Sequence, residues 1–204
     1  MHIAITGNIG AGKTTLAGML AKHYEWEVLY EAVEGNPYLS DFYRDMERWA
    51  FNLQMFFLKS RFEQVLQIQE SNKRYIQDRT IYEDAFIFAK NLNESKLMSD
   101  TDYKTYKDFF DLMMRLIKPP DLMIYLKADL PKLVNQIKAR GRDFENNISA
   151  QYLIDLNRHY EHFIENFNDC KVLIINVNGL DYVNNEVDFK FVIHQVDHAL
   201  VYGK

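Results

Sequence analysis

The sequence has almost no cysteine: Cys170 is the only one in 204 residues. It cannot close an intrachain disulfide, it lies in a mostly apolar stretch, and a reducing compartment is its simplest setting. No apolar run approaches the roughly eighteen residues of a membrane-spanning helix. The first residues, MHIAITG, lack a basic n-region and a long apolar h-region, so a cytoplasmic protein is expected. The glycosylation patterns at Asn93 and Asn147 are then coincidences. Basic runs are missing too: 24 Lys and Arg are scattered among 29 Asp and Glu, for a net charge of −5. That surface argues against non-specific binding to nucleic acid or anionic membrane. No period of about 20–50 residues repeats, which excludes a solenoid.

What is present is ordinary for a folded chain: 48% apolar and 26% charged residues. At this length one domain, residues 1–204, buries roughly 70% of its unfolded surface without disulfides. Short β-rich runs (HIAIT at 2–6, EVLY at 27–30, RYIQ at 74–77, DLMIYL at 121–126, KVLIINV at 171–177) alternate with helical patterns. Continuous apolar strands separated by helices predict an α/β fold with a parallel sheet covered on both faces. Helices are expected over 41–70, 102–118, 131–140 and 186–200, the first apolar around nearly its whole circumference in its first half. A polar residue in that first helix needs a partner or a ligand.

Between the first strand and the first helix stands GNIGAGKTT: Gly7, Asn8, Ile9, Gly10, Ala11, Gly12, Lys13, Thr14 and Thr15. It fits G-x-x-x-x-G-K-[ST] in the context that motif requires. Glycines let several N–H groups turn inward on phosphates, and the helix N-terminus adds partial positive charge. Lys13 would reach the β- and γ-phosphates and the Thr14 hydroxyl would ligate Mg²⁺, with ATP as the nucleotide.

Two further groups stand at the carboxyl ends of strands, where ligands of open α/β sheets bind. Glu31 follows the second strand and is either a solvated loop carboxylate or a base facing the γ-phosphate. Asp78 and Arg79 end the third strand, as a surface ion pair or as a metal ligand beside a cation that offsets developing charge. Lys138, Arg140 and Arg142 either complement a helix dipole or close over ATP as a lid.

In combination and in this order, GNIGAGKTT, EAVEGNP, ERWAFNLQMFFLKSRF, DRTIYEDAFIFAKNL and RGRDFE resemble the deoxynucleoside kinase family, over nearly the whole chain. The resemblance implies a P-loop kinase fold: a five-stranded parallel sheet with helices on both faces and a short Arg-containing lid. It implies Glu31 as the base for the 5′-hydroxyl, Arg79 as the group holding the 5′-oxygen and Glu31, and Asp78 with Thr14 at Mg²⁺. Thr80 replaces the family's usual serine and keeps the hydroxyl. Arg140 and Arg142 match lid arginines, whereas Gln136 stands where many relatives carry another.

The same resemblance gives the acceptor pocket. Gln54 matches the amide that reads the base, Arg61 and Asp84 the pair that shapes the base site, and Phe88 the stacking ring. Tyr43 and Glu145 match the ligands of the sugar 3′-hydroxyl, and Trp49 is expected to wall the pocket. The EAVEGNP and DRTIYEDAF wording resembles the bacterial, chiefly purine-directed branch, which implies deoxyadenosine first, deoxyguanosine second and deoxycytidine third. A homodimer is implied as well. A monophosphate kinase of the thymidylate kinase type and a non-catalytic nucleotide switch are the alternatives; Glu31 disfavours the first, because a dianionic acceptor needs cations there.

Overall fold

A computed structural model of the chain describes residues 1–33, 35–142, 145 and 148–201. Glu34 of EAVEGNP, Asp143 and Phe144 of RGRDFE, and Asn147 lie outside the described residues. Five strands, β1 (His2–Thr6), β2 (Glu27–Leu29), β3 (Tyr75–Asp78), β4 (Leu122–Lys127) and β5 (Lys171–Asn176), form one sheet in the order β2-β3-β1-β4-β5. Every pairing is parallel. Successive side chains of a strand point to opposite faces, and all residues of β1 and β3 are buried. The middle of the sheet is therefore covered on both sides.

The helices are α1 (Lys13–Tyr24), α2 (Leu39–Arg44), α3 (Met46–Glu70), α4 (Ile81–Glu83), α5 (Lys90–Glu94), α6 (Asp100–Met114), α7 (Leu130–Arg140), α8 (Ala150–Asn166) and α9 (Glu186–Val201). A six-residue π-helical segment, Asp84–Ala89, joins α4 to α5. The single helix expected over 41–70 is broken. Asp45 leaves helical torsions at φ −146°, and its carboxylate accepts the Arg48 amide at 3.1 Å, capping α3. A side chain that satisfies a free N–H at a helix start favours such a break. Ser99, Asp129 and Ser149 cap α6, α7 and α8 in the same way. Gly141, at φ +65°, ends α7 as expected of a left-handed cap.

The long α3 buries Leu53, Gln54, Phe57, Leu58 and Arg61. It thereby brings an amide and a guanidinium to the carboxyl ends of the strands.

Candidate active site

The phosphate loop is held in shape by its neighbours. Gly10 and Gly12 take φ +85° and +94°. A Cβ on Gly10 would stand 2.7 Å from the Leu133 carbonyl, and one on Gly12 2.2 Å from the Tyr182 hydroxyl. The Asn8 side chain accepts from the loop's Ile9 amide (2.7 Å) and donates to the Leu153 carbonyl (2.9 Å) and Asn157 (2.7 Å) of α8. Lys13 donates to the Asn8 carbonyl at 2.9 Å. Burial pushes the Lys13 ammonium down to about 8, aided by Arg79 and opposed by the carboxylates of Asp78, Glu83 and Glu31.

Thr14 Oγ1 donates to Asp78 Oδ2 at 2.5 Å, while Asp78 Oδ1 is buried without a hydrogen-bond partner. Burial raises the Asp78 pKa, against the pull of Lys13. A hydroxyl and a carboxylate with one spare oxygen are hard oxygen donors of the kind Mg²⁺ takes together with phosphate and water.

Behind the loop, charges of both signs interlock. Glu31 Oε1 lies 2.7 Å from Arg79 Nε and 3.0 Å from Arg61 Nη2. Burial alone would raise the Glu31 pKa; the charges of Arg79, Arg61 and Lys13 outweigh it and hold the carboxyl at about 2. Arg61 also reaches Asp84 (3.4 Å) and the Asp78 carbonyl (3.1 Å). Burial pushes Asp84 up to about 7 despite Arg61 and Arg79. Arg79 takes φ +74°, an unusual torsion for a residue with a Cβ. Its guanidinium lies 4.5 Å over the Phe88 ring and Nη1 donates to Glu83 at 3.1 Å.

In front of these groups is a cavity lined by Lys13, Glu31, Tyr43, Gln54, Arg79, Asp84, Phe88, Arg140, Arg142 and Glu145, among others. The Gln54 carbonyl oxygen is buried with no partner, a cost of about 1–3 kcal/mol unless a ligand meets it. Arg140 clasps Glu145 through Nε (3.1 Å) and Nη2 (2.5 Å), and Arg142 Nη1 lies 3.6 Å from the same carboxylate. The two arginines, with Gln136, also border the cleft over Gly10, Gly12, Lys13, Thr14 and Thr15. Ile9 lines the acceptor side.

Two placements differ from expectation. Trp49 is not among the side chains lining the cavity: its ring packs 5.9 Å from Tyr38 and under the Arg48 guanidinium. Five residues of helix are about 140° away from Gln54 on the helical wheel, so the two cannot share a face. Arg61, seven residues from Gln54, does share its face but stands behind Glu31 and Asp84 rather than on the cavity wall. Three residues that the sequence did not single out are prominent: Tyr152 on the cavity wall, and Glu83 and Tyr160, both fully buried against Arg79. The capping-box pattern around Thr80 and Glu83 was readable; the long-range contact of Tyr160 was not.

The family described as deoxynucleoside kinase matches residues 3–201. The deoxyadenosine/deoxycytidine kinase of Bacillus subtilis (strain 168) is 40% identical over 196 residues, 95% of this chain and 90% of that protein. The deoxyadenosine kinase of Dictyostelium discoideum is 43% identical over 185 residues, 91% and 75% of the respective chains. The solved structure of deoxyadenosine kinase from M. mycoides with bound dATP superposes with a TM-score of 0.86 at 32% identity, covering 97% of this chain and 100% of that one. The likeness thus takes in the loop, the paired arginines, the lid and every strand beneath them, and the chain belongs to the deoxynucleoside kinase family.

Proposed function

We propose that this protein transfers the γ-phosphate of ATP to the 5′-hydroxyl of a deoxynucleoside, deoxyadenosine before others, as one catalytic domain spanning 1–204. The carrying observation is the position of Glu31: an ionised carboxylate, wedged between two arginines, on the wall of one cavity with Lys13 and the partnerless Gln54 carbonyl.

The 5′-oxygen attacks the γ-phosphorus, the bond to the β–γ bridging oxygen breaks, ADP leaves, and the hydroxyl proton passes to Glu31. A carboxyl held at about 2 is a weak base, so the proton moves late, as the new P–O bond forms. A loose phosphoryl-transfer transition state asks for little more than that and draws chiefly on positioning and charge. Glu31 fixes the hydroxyl, Arg79 holds the 5′-oxygen and Glu31, and Lys13 meets the phosphates. Mg²⁺ held by Thr14 and Asp78 would offset charge on the β- and γ-phosphates. Arg140 and Arg142 are the lid cations; exchanging Glu145 for phosphate would free that carboxylate, with Tyr43, for the 3′-hydroxyl.

The Gln54 amide pairs with the base edge, Phe88 stacks on it, and Arg61 with Asp84 shapes the site from behind. The Bacillus relative named for both deoxyadenosine and deoxycytidine, and the M. mycoides enzyme solved with product dCMP, support deoxycytidine as an acceptor, as the 34% identical deoxyguanosine kinase of Bacillus subtilis supports deoxyguanosine. The homodimer that the family resemblance implies belongs to the same reading; Phe86 and Ile154, on the Asp84–Ala89 segment and on α8, are exposed apolar side chains. No helix among the described residues is long and apolar enough to cross a membrane, in keeping with a cytoplasmic enzyme.

ADP release measured with ATP, Mg²⁺ and each of the four deoxynucleosides and their monophosphates tests the reading. Turnover with deoxyadenosine is expected. Turnover confined to monophosphates would sink it in favour of a thymidylate-kinase-type reaction, and binding without any product would favour a nucleotide switch.

A further inference from the structure

Tyr160 and Glu83 have no role in the reaction above, yet both are wholly buried and reach the site from behind. The Tyr160 hydroxyl lies 2.8 Å from the Gly7 carbonyl and 2.7 Å from Glu83 Oε1, and it accepts from Arg79 Nη1 at 2.9 Å. Glu83 Oε1 also accepts from Arg79 Nη1 at 3.1 Å and from the Gly7 amide at 3.4 Å; Oε2 accepts the Thr80 amide at 2.7 Å. Both backbone polar groups of Gly7, the first residue of the phosphate loop, therefore meet the same phenol and carboxylate that grip Arg79.

A phenol has one hydrogen, and here it has two acceptors. Directed at Glu83, it weakens the negative charge presented to Arg79. Directed at the Gly7 carbonyl, it leaves Glu83 Oε1 to the arginine and the Gly7 amide. The position of the Gly7 peptide is in this way read at Arg79. The rest of α8 strengthens the tie, because Leu153 and Asn157, on the same helical face as Tyr160, hold Asn8 of the loop.

We propose that Tyr160 and Glu83 are a positioning couple that makes the phosphate loop and Arg79 settle together, so that triphosphate and deoxynucleoside strengthen each other's binding. The inference rests on the assignment of Arg79 to the acceptor in the proposed function. A triphosphate fixes the Gly7 peptide, the Tyr160 hydrogen goes to its carbonyl, and Glu83 then holds the guanidinium in the orientation that receives the 5′-oxygen. The effect is reciprocal, since a coupling free energy belongs to both ligands equally.

Tyr160→Phe removes the hydroxyl and keeps the ring stacked 5.8 Å from Tyr125. Deoxyadenosine is titrated calorimetrically into wild type and variant, with and without Mg²⁺ and a non-hydrolysable ATP analogue. In the wild type the analogue should tighten deoxyadenosine at least about fivefold. In Tyr160→Phe that factor should fall to within about twofold of unity, each ligand alone binding within about threefold of wild type, while kcat drops. Should that variant not fold, Glu83→Gln, of equal size, is read by the same criterion. A wild type without mutual tightening, or a folded variant that retains it, overturns the couple. So does a variant that binds each ligand poorly yet keeps the factor, the mark of a structural role only. A wild type that phosphorylates no deoxynucleoside is a separate result: it refutes the proposed function, and the couple falls with it.

Discussion

Replacing Arg61 by methionine isolates what one buried cation does for the site. The guanidinium side chain is 2% exposed and joins Glu31 (3.0 Å), Asp84 (3.4 Å) and the Asp78 carbonyl (3.1 Å). Methionine fills most of the same volume, so the cavity contribution is small. The charge contribution is large. Glu31 keeps Arg79 at 2.7 Å, but Asp84, with a side chain 3% exposed, loses the one cation within ion-pair distance among the described residues. Breaking a buried pair from one side costs about 3–5 kcal/mol. At about 2–4 °C per kcal/mol for a chain of this size, the melting temperature should fall by about 6–20 °C.

The pH dependence has a definite sign. Burial already pushes Asp84 up to about 7, and the cations opposing that rise are Arg61 and Arg79; removing Arg61 raises it further. A carboxyl whose folded pKa lies above its unfolded value binds more protons when folded between the two. Stability therefore falls as pH rises through that window. The variant should lose less at pH about 5 than at pH about 8, and adding Asp84→Asn should recover much of the loss at the higher pH. Urea unfolding at both pH values measures this. A single-variant loss under about 1 kcal/mol, the scale of a surface pair, or a double variant no more stable than the single, would refute the reasoning.

Glu31→Gln should lower kcat with deoxyadenosine by about a hundredfold or more, in steady-state assays, while calorimetry still detects nucleoside binding. Gln54→Leu removes a carbonyl that has no partner in the protein. It should lower kcat/KM for deoxyadenosine by about 10–100-fold without lowering the melting temperature. Lys13 titrates at about 8 before ligand arrives, so ATP affinity should weaken as pH climbs past that value. Below it the ammonium is already formed; above it binding should take up a proton, seen as a difference in calorimetric heat between buffers of unequal ionisation enthalpy.

Local chemistry made much of the fold legible. The β-rich runs fall within a residue of each observed strand start, and the glycine loop joins strand to helix as its spacing requires. Caps were harder. Asp45 interrupts an apolar pattern whose periodicity reads straight through it, because one side-chain hydrogen bond outweighs continued helix there. The helix α8 was not anticipated, although Ser149 and the spacing of Leu153, Leu156, Tyr160 and Phe163 carried the signal. The π-helical turn at Asp84–Ala89 leaves no mark in composition. At the site, Glu31, Asp78 and Arg79 could be picked out because strand ends make a polar residue conspicuous, whereas Gln54 was marked only by the family resemblance. Glu83 and Tyr160 could not, for their meaning lies in a contact spanning 77 residues. The resemblance puts Trp49 on the pocket wall, and helix geometry turns it elsewhere.

The central place of β1 has a consequence for how the chain matures. This strand is made before the other four, yet it pairs with β3 on one side and β4 on the other, through Tyr75–Asp78 and Leu122–Lys127. Pairings so distant along the chain form slowly and only once the later segments exist. β1 must therefore wait unpaired until Leu122–Lys127 is made, and the Tyr182 hydroxyl that packs against Gly12 arrives later still. Until β3 and β4 flank it, β1 cannot present the phosphate loop in its final frame, and its unpaired edges are open to a strand of another chain.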